Sequence, residues 1–259
     1  MSDYKKLNNQ PLQIVLAEFR FTAVLQMEEF VPALQEALRK KYPITQIENV
    51  QASQVGPAGI CMTSIQRWLL ISANKSSAII IQNDRLVFLT SEYPRFEGFS
   101  ELCKEALDTL ENIVEPSLIT RIGLRYGNLI QAGGGETIDK LVCPHLTMPD
   151  YIESIGELKI LSNEMVITTS VGTLLLRSLY GNHNMTCLPD IQGIPVTIRQ
   201  DKESSERIIL DFDHFWDTKN NPVTFDTEGI LSTLEKLHVI SREAFWKATT
   251  DYARNEKWA

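Results

Sequence analysis

The sequence lacks most of the features that declare a chemistry. It has only four cysteines, Cys61, Cys103, Cys143 and Cys187, widely separated and without a CxxC pair. That argues against a disulfide framework and for a reduced cytoplasm. Histidine is equally scarce, and no two of His145, His183, His214 and His238 have the spacing of metal ligands. No apolar run approaches the ~18 residues that span a bilayer. The longest, from Val166 to Leu179, is broken by Thr168, Thr169, Ser170, Thr173 and Arg177. The opening MSDYKKLNNQ has no apolar core, so no signal peptide and no membrane association are expected. The glycine run 133–135 is followed by no Lys-Ser or Lys-Thr and is not a phosphate-binding loop. Positive charge is in the minority, 25 Lys and Arg against 33 Asp and Glu, for a net −8. Bulk attraction to nucleic acid is therefore not expected. No catalytic constellation and no cofactor are indicated.

What the sequence does have is the composition and patterning of a globular chain. It is 43% hydrophobic and 22% charged over 259 residues, enough for one large domain or two of ordinary size. The stretch LITRIGLRYGNLI, Leu118 to Ile130, organises the reading. Its even positions are mostly apolar; its odd positions include Arg121, Gly123, Arg125 and Gly127. Period two makes this a central strand with one face on the core and two arginines on the other. Leu12 to Phe21 reads as a second strand, with Val15, Ala17, Phe19 and Phe21 on one face and Ile14, Leu16, Glu18 and Arg20 on the other. Met27 to Lys41 and Phe96 to Glu115 have apolar stripes at helical spacing. Pro32 suits only a first turn, which suggests a start later than Met27 for the first of them. Ile47 to Gln54, Trp68 to Ala73, Ala78 to Gln82 and Leu86 to Thr90 read as strands. A turn is expected at Gly56, Pro57 and Gly59, and a hairpin through Asn83 and Asp84.

These elements predict an α+β fold, mainly antiparallel, with ferredoxin-like character in the N-terminal half. Gln131 to Glu136 reads as a linker, dividing the chain into 1–132 and 133–259. A short helix is expected over Thr137 to Val142. The second half reads as strands at Glu157 to Ile160, Met165 to Val171, Leu174 to Tyr180, Ile194 to Arg199 and Ile208 to Phe212. Gly172 marks a bend or bulge, and Asp201 to Glu206 a polar hairpin tip. A helix capped by Asp226 or Thr227 is expected to run to about Arg254.

Two groups of residues could carry function. Glu18, Arg20, Arg121 and Arg125, with Tyr126 beside them, could hold a small anionic ligand, because the guanidinium fork matches phosphate and carboxylate. The competing reading pairs Glu18 and other acidic neighbours with these arginines. Asp211 and Asp213, on one face of the last strand, offer hard oxygen ligands to a divalent metal. Against that, His214 points the other way, and the aspartates fit a structural role at a strand end. His238 on the last helix reads as a core-edge histidine.

Glu18-Phe19-Arg20-Phe21, then Arg121-Ile122-Gly123-Leu124-Arg125-Tyr126-Gly127-Asn128, then Leu210-Asp211-Phe212-Asp213, then Leu237-His238 with Phe245, together with Pro11-Leu12, resemble a sporadically distributed, uncharacterised family of prokaryotic proteins of similar length. Ile14 and Gly127 depart from the family pattern, which has an acidic and a bulky residue there. The resemblance implies a prokaryotic protein and, through sporadic distribution, a link to defence or mobile genes. The reading is a non-catalytic interaction protein with a protein partner, a regulatory or immunity component of a defence or toxin-linked system. The alternative is a nucleotide- or phosphate-ligand sensor, or a metal-dependent enzyme acting on nucleotides or nucleic acid. Association as a homodimer is a third expectation.

Overall fold

The computed structural model describes residues 4, 7–56, 59–133, 135–147, 155–191, 193–218, 221 and 223–259, and among these the side chains of 52–63 are outside the description. β1 (Leu12–Phe21) leads into α1 (Met27–Leu38). An antiparallel meander follows: β2 (Ile44–Gly56), β3 (Gly59–Ile71), β4 (Ser77–Gln82) and β5 (Arg85–Thr90). Then come α2 (Arg95–Val114) and β6 (Leu118–Gln131). The remainder contributes β7 (Ile160–Thr168), β8 (Thr173–His183), β9 (Ser205–Asp217), the short β10 (Val223–Thr224) and α3 (Thr227–Ala248). The ten strands among the described residues form one sheet in the order β2-β3-β4-β5-β1-β6-β9-β8-β7, with β10 on the start of β6. The fold is α+β, and the strand pairings among the described residues are all antiparallel. β1 lies between β6 and β5, the neighbours a split βαβ arrangement requires, with β4, β3 and β2 continuing outward.

Alternation decides which face is covered. Val15, Ala17 and Phe19 of β1 join Ile122, Leu124 and Tyr126 of β6 beneath the three helices, in a core with Leu34 of α1, Phe99 of α2 and Leu234 of α3. Each valine, leucine, isoleucine or phenylalanine among them gains roughly 1.5–3 kcal/mol on leaving water, so this face cannot stay open. The opposite face carries a smaller cluster of Ile14, Leu69, Ile71 and Ile80, roofed by Cys187, Ile191 and Val196 from the β8–β9 connection. That connection is a strap across part of the open face. Near the chain ends, the Asn8 and Asn9 amides donate to the Trp258 carbonyl at 2.8 and 3.2 Å.

Several expectations need correcting. The sheet runs unbroken past the segment read as a linker, because β6 pairs with β9 from Arg121↔Asp217 to Gln131↔Arg207; Gly134 of that segment lies outside the described residues. Ile194 to Arg199 is not a strand. Its alternation is real, but Ile194, Val196 and Ile198 all pack on the sheet face instead of joining a ladder. Asp201 to Glu206 is then no hairpin tip: Asp201 accepts from Arg199 and from the buried Arg207, both at 2.7 Å. Met165 to Thr168 and Ile160, from two segments read as separate strands, belong to the single β7, while Thr169 to Gly172 form the β7–β8 turn, where the Gly172 carbonyl accepts from the Thr169 amide. α1 keeps Pro32 in its interior and still starts at Met27, whose side chain is fully buried. α3 ends at Ala248, not near Arg254, because Thr249 turns extended to bridge Val142. Asp226 is its cap, accepting from the Gly229 amide at 2.7 Å. The expected 137–142 helix shrinks to a 3-10 turn at Ile138–Lys140. Pro57 of the expected turn lies outside the described residues.

Candidate functional site

The pairing of β1 with β6 places Arg20 opposite Arg121 and Glu18 opposite Gly123. Glu18 is the hub of this end of the open face. Its carboxylate accepts from Arg20 Nε at 2.7 Å and Arg85 Nη1 at 3.1 Å, and Arg121 Nε stands 3.5 Å away. The Arg121 guanidinium lies 3.5 Å from the centroid of the Phe215 ring, a cation–π contact supplied by β9. Its Nε is buried without a hydrogen-bond partner among the described residues. Burial lowers the Arg121 pKa, and Glu18 only partly offsets that.

Arg125 anchors the next set. Its Nε reaches both Asp211 oxygens, at 2.9 and 3.0 Å. Its two terminal nitrogens hold Asp190 at 2.8 and 2.9 Å. Asp190 comes from the strap and also accepts from Arg177 Nη1 at 3.1 Å; Arg177 lies 3.6 Å from Asp213. Asp211 is fully buried. Burial pushes its carboxyl up to about 6 while Arg125 pulls it back, so it is ionised at neutral pH. Asp213 is likewise raised by burial. For Arg125, burial works against the charge, but Asp190 and Asp211 together hold its pKa above the ordinary value.

Between the two sets a cavity of about 220 Å³ opens above Gly123, lined by Glu18, Arg20, Arg121, Arg125 and Asp213. The structure thus brings together four of the five ligand-binding candidates. Tyr126 is not with them. As an even position of β6 it faces the helices, and its hydroxyl bonds His238 Nδ1 at 2.8 Å. The two metal candidates share the face, but their charge is answered by Arg125 and Arg177. No group of three or more His, Cys, Asp or Glu is placed to hold a metal among the described residues. His214 is buried towards α3, 3.1 Å from the Leu237 carbonyl and 2.9 Å from Thr169 Oγ1.

Three members of this network are not singled out by the sequence. Arg85 and Arg177 were visible in principle, since Arg85, Val87 and Leu89, like Leu175, Arg177 and Leu179, alternate onto the open face. Asp190 gave no local signal; it meets Arg125 across 65 residues of sequence.

No family model matches the chain, and neither the curated proteins nor the solved structures contain a match. No helix among the described residues is long and apolar enough to cross a membrane.

Proposed function

We propose that this chain is a non-catalytic interaction protein that takes a partner strand along β7. The observation that carries the reading is the state of that edge. Among the described residues β7 pairs with β8 on one side only and ends the sheet. Met165, Val166 and Ile167 are 42%, 66% and 40% exposed. Proteins that stay alone blunt such an edge with charge, proline or a bulge; β7 has Glu164 alone. An open strand with apolar side chains on both faces is what strand addition uses, the backbone giving affinity and the side chains specificity. The ion-paired open face supports the same reading, because its carboxylates and guanidinium groups mostly satisfy one another. A role as a regulatory or immunity component of a defence or toxin-linked system follows from the family resemblance alone. Co-purification from a native host tests the reading. Wild-type protein should carry a partner that a Val166→Lys, Ile167→Glu double variant loses. Equal recovery by the folded double variant overturns it, and light scattering of the protein alone identifies a second copy as that partner.

A second reading, a phosphate- or nucleotide-ligand sensor, is favoured by one observation: the buried, unsatisfied Nε of Arg121 beside the cavity over Gly123. Saturating phosphate or nucleotide should then raise the melting temperature, through a stabilisation of roughly 2.7 kcal/mol at a hundredfold excess over Kd. An Arg121→Gln variant should abolish the shift. No shift with the wild type removes this reading.

A further inference from the structure

On the helix side of the sheet lies a second cavity, of about 280 Å³, unrelated to the β7 edge and to the ion-paired face. It forms where the start of α2, the middle of α3, β6 and the N-terminal segment converge. On α3, His238, Arg242 and Trp246 follow one another at four-residue spacing and so share a face. Phe96 of α2 stacks flat on His238, with centroids 4.0 Å apart and planes within 3°. His238 Nδ1 is bonded to the Tyr126 hydroxyl at 2.8 Å, and that hydroxyl to Tyr93 at 3.4 Å. Burial, reinforced by Arg242, lowers the His238 pKa to about 3. The imidazole is therefore neutral at pH 7 and adds no charge.

The charged residues lining the cavity are Arg95, Arg242 and Glu97. Among the described residues neither arginine is ion-paired to a carboxylate, in contrast to the arginines of the open face. Arg242 Nε is buried with no hydrogen-bond acceptor among the described residues, an arrangement that native interiors rarely leave unexplained. The Arg242 guanidinium instead sits 4.7 Å from the Tyr4 ring centroid. Arg95, the first residue of α2, has φ +73°, a left-handed conformation that a side chain adopts at a cost. Local strain of this kind collects at ligand sites. Aromatic walls, a hydroxyl–imidazole chain and an excess of guanidinium charge make a coherent receptor.

We propose that this cavity is a binding site for a small planar aromatic ring bearing one anionic group, the ring lying against Phe96 and Trp246 and the anion on Arg242 and Arg95. The guanidinium groups accept either a carboxylate or a phosphate, and the choice of probe separates the two.

Calorimetric titration of the full chain tests this with benzoate and adenosine monophosphate as anionic rings, benzamide as an uncharged ring and acetate as an anion without a ring. At least one anionic ring should bind, and benzamide and acetate should bind at least about tenfold more weakly, as loss of a charge-assisted contact or of the stacking surface requires. Arg242→Gln should weaken binding by about tenfold or more, and Arg242→Lys by less. Arg95 is exposed, so Arg95→Gln gives a second reading that does not depend on the core, and it should also weaken binding. Val166→Lys, at the far edge of the sheet, should change nothing, which keeps this site separable from the β7 reading. The proposal is overturned if neither anionic ring binds at about 5 mM, a weak limit for ligands of this size. It is also overturned if benzamide matches benzoate, or if both arginine-to-glutamine variants are folded by circular dichroism and bind like wild type.

Discussion

Arg125 and Asp211 form the most buried ion pair on the open face, with side chains 11% and 0% exposed. Removing one partner of such a pair costs more than the pair itself contributes, because the other is left charged and dry. The two removals are not equivalent. Asp211→Asn leaves Arg125 with Asp190 and should cost roughly 1–3 kcal/mol, whereas Arg125→Met strands a fully buried carboxylate and should cost about 3–5 kcal/mol. Urea unfolding checks the order; equal losses would mean the burial of Asp211 is not the deciding factor. His238 sets a pH dependence of the opposite kind to that of Asp211. Its pKa falls from 6.5 to about 3 on folding, so between those values the unfolded chain binds the proton and the folded chain does not. Stability contributed by neutral His238 is lost as pH drops through this window. Around it stand Tyr126 and Tyr93, Phe96, and Arg242, with Arg95 and Glu97 on the same cavity wall. Asp211, raised to about 6, contributes stability present below 3.8 and lost as pH rises through 6. Unfolding free energies measured from pH 7 to pH 4 should therefore fall less steeply in His238→Phe and more steeply in Asp211→Asn.

At the level of elements, two glycines that look alike in sequence behave differently. A Cβ on Gly172 would stand 2.0 Å from the Phe215 carbonyl oxygen, backbone that cannot move without opening the β8–β9 ladder. On Gly123 it would meet Glu18 Cβ at 3.8 Å, ordinary contact. Gly172→Ala should cost about 3 kcal/mol or more, and Gly123→Ala within about 1 kcal/mol either way, by thermal or urea unfolding. The strands β1 and β6 were legible because alternation along a half-buried strand is strict, and RIGLRY shows it. Asp226 was legible as a cap because its carboxylate has one natural acceptor role there. The Ile194 to Arg199 strand was misread for the same reason that β6 was read correctly. Alternation reports which way side chains face, and a strap lying on a sheet alternates without ever pairing. The end of α3 was hidden too, since Thr249 is turned extended by Val142, more than a hundred residues earlier. Arg207, 1% exposed, could not have been picked out, because arginine is ordinarily a surface residue.

For the whole molecule, the α+β class was readable from the order of elements, and the continuity of the sheet was not. A glycine run looks the same whether it separates two cores or merely connects two strands of one. With β6 pairing β1 on one flank and β9 on the other, loss of either half uncovers a long apolar-backed edge. Unfolding should accordingly be a single transition, with tryptophan emission and far-ultraviolet circular dichroism superimposing; Trp68 reports the β3 side, and Trp216, Trp246 and Trp258 the other. Residues 1–132 expressed alone should aggregate or remain unfolded, as size-exclusion chromatography would show. The strap has a consequence of its own. Asp190 neutralises Arg125 and Arg177 from the same segment whose Ile191 and Val196 seal the Ile14 cluster. Detaching it would therefore bare grease and cation together, turning a quiet surface adhesive and basic in one motion. Asp190→Asn should loosen that latch, and faster deuterium uptake at the Thr197 amide, which donates to Lys75, would register it.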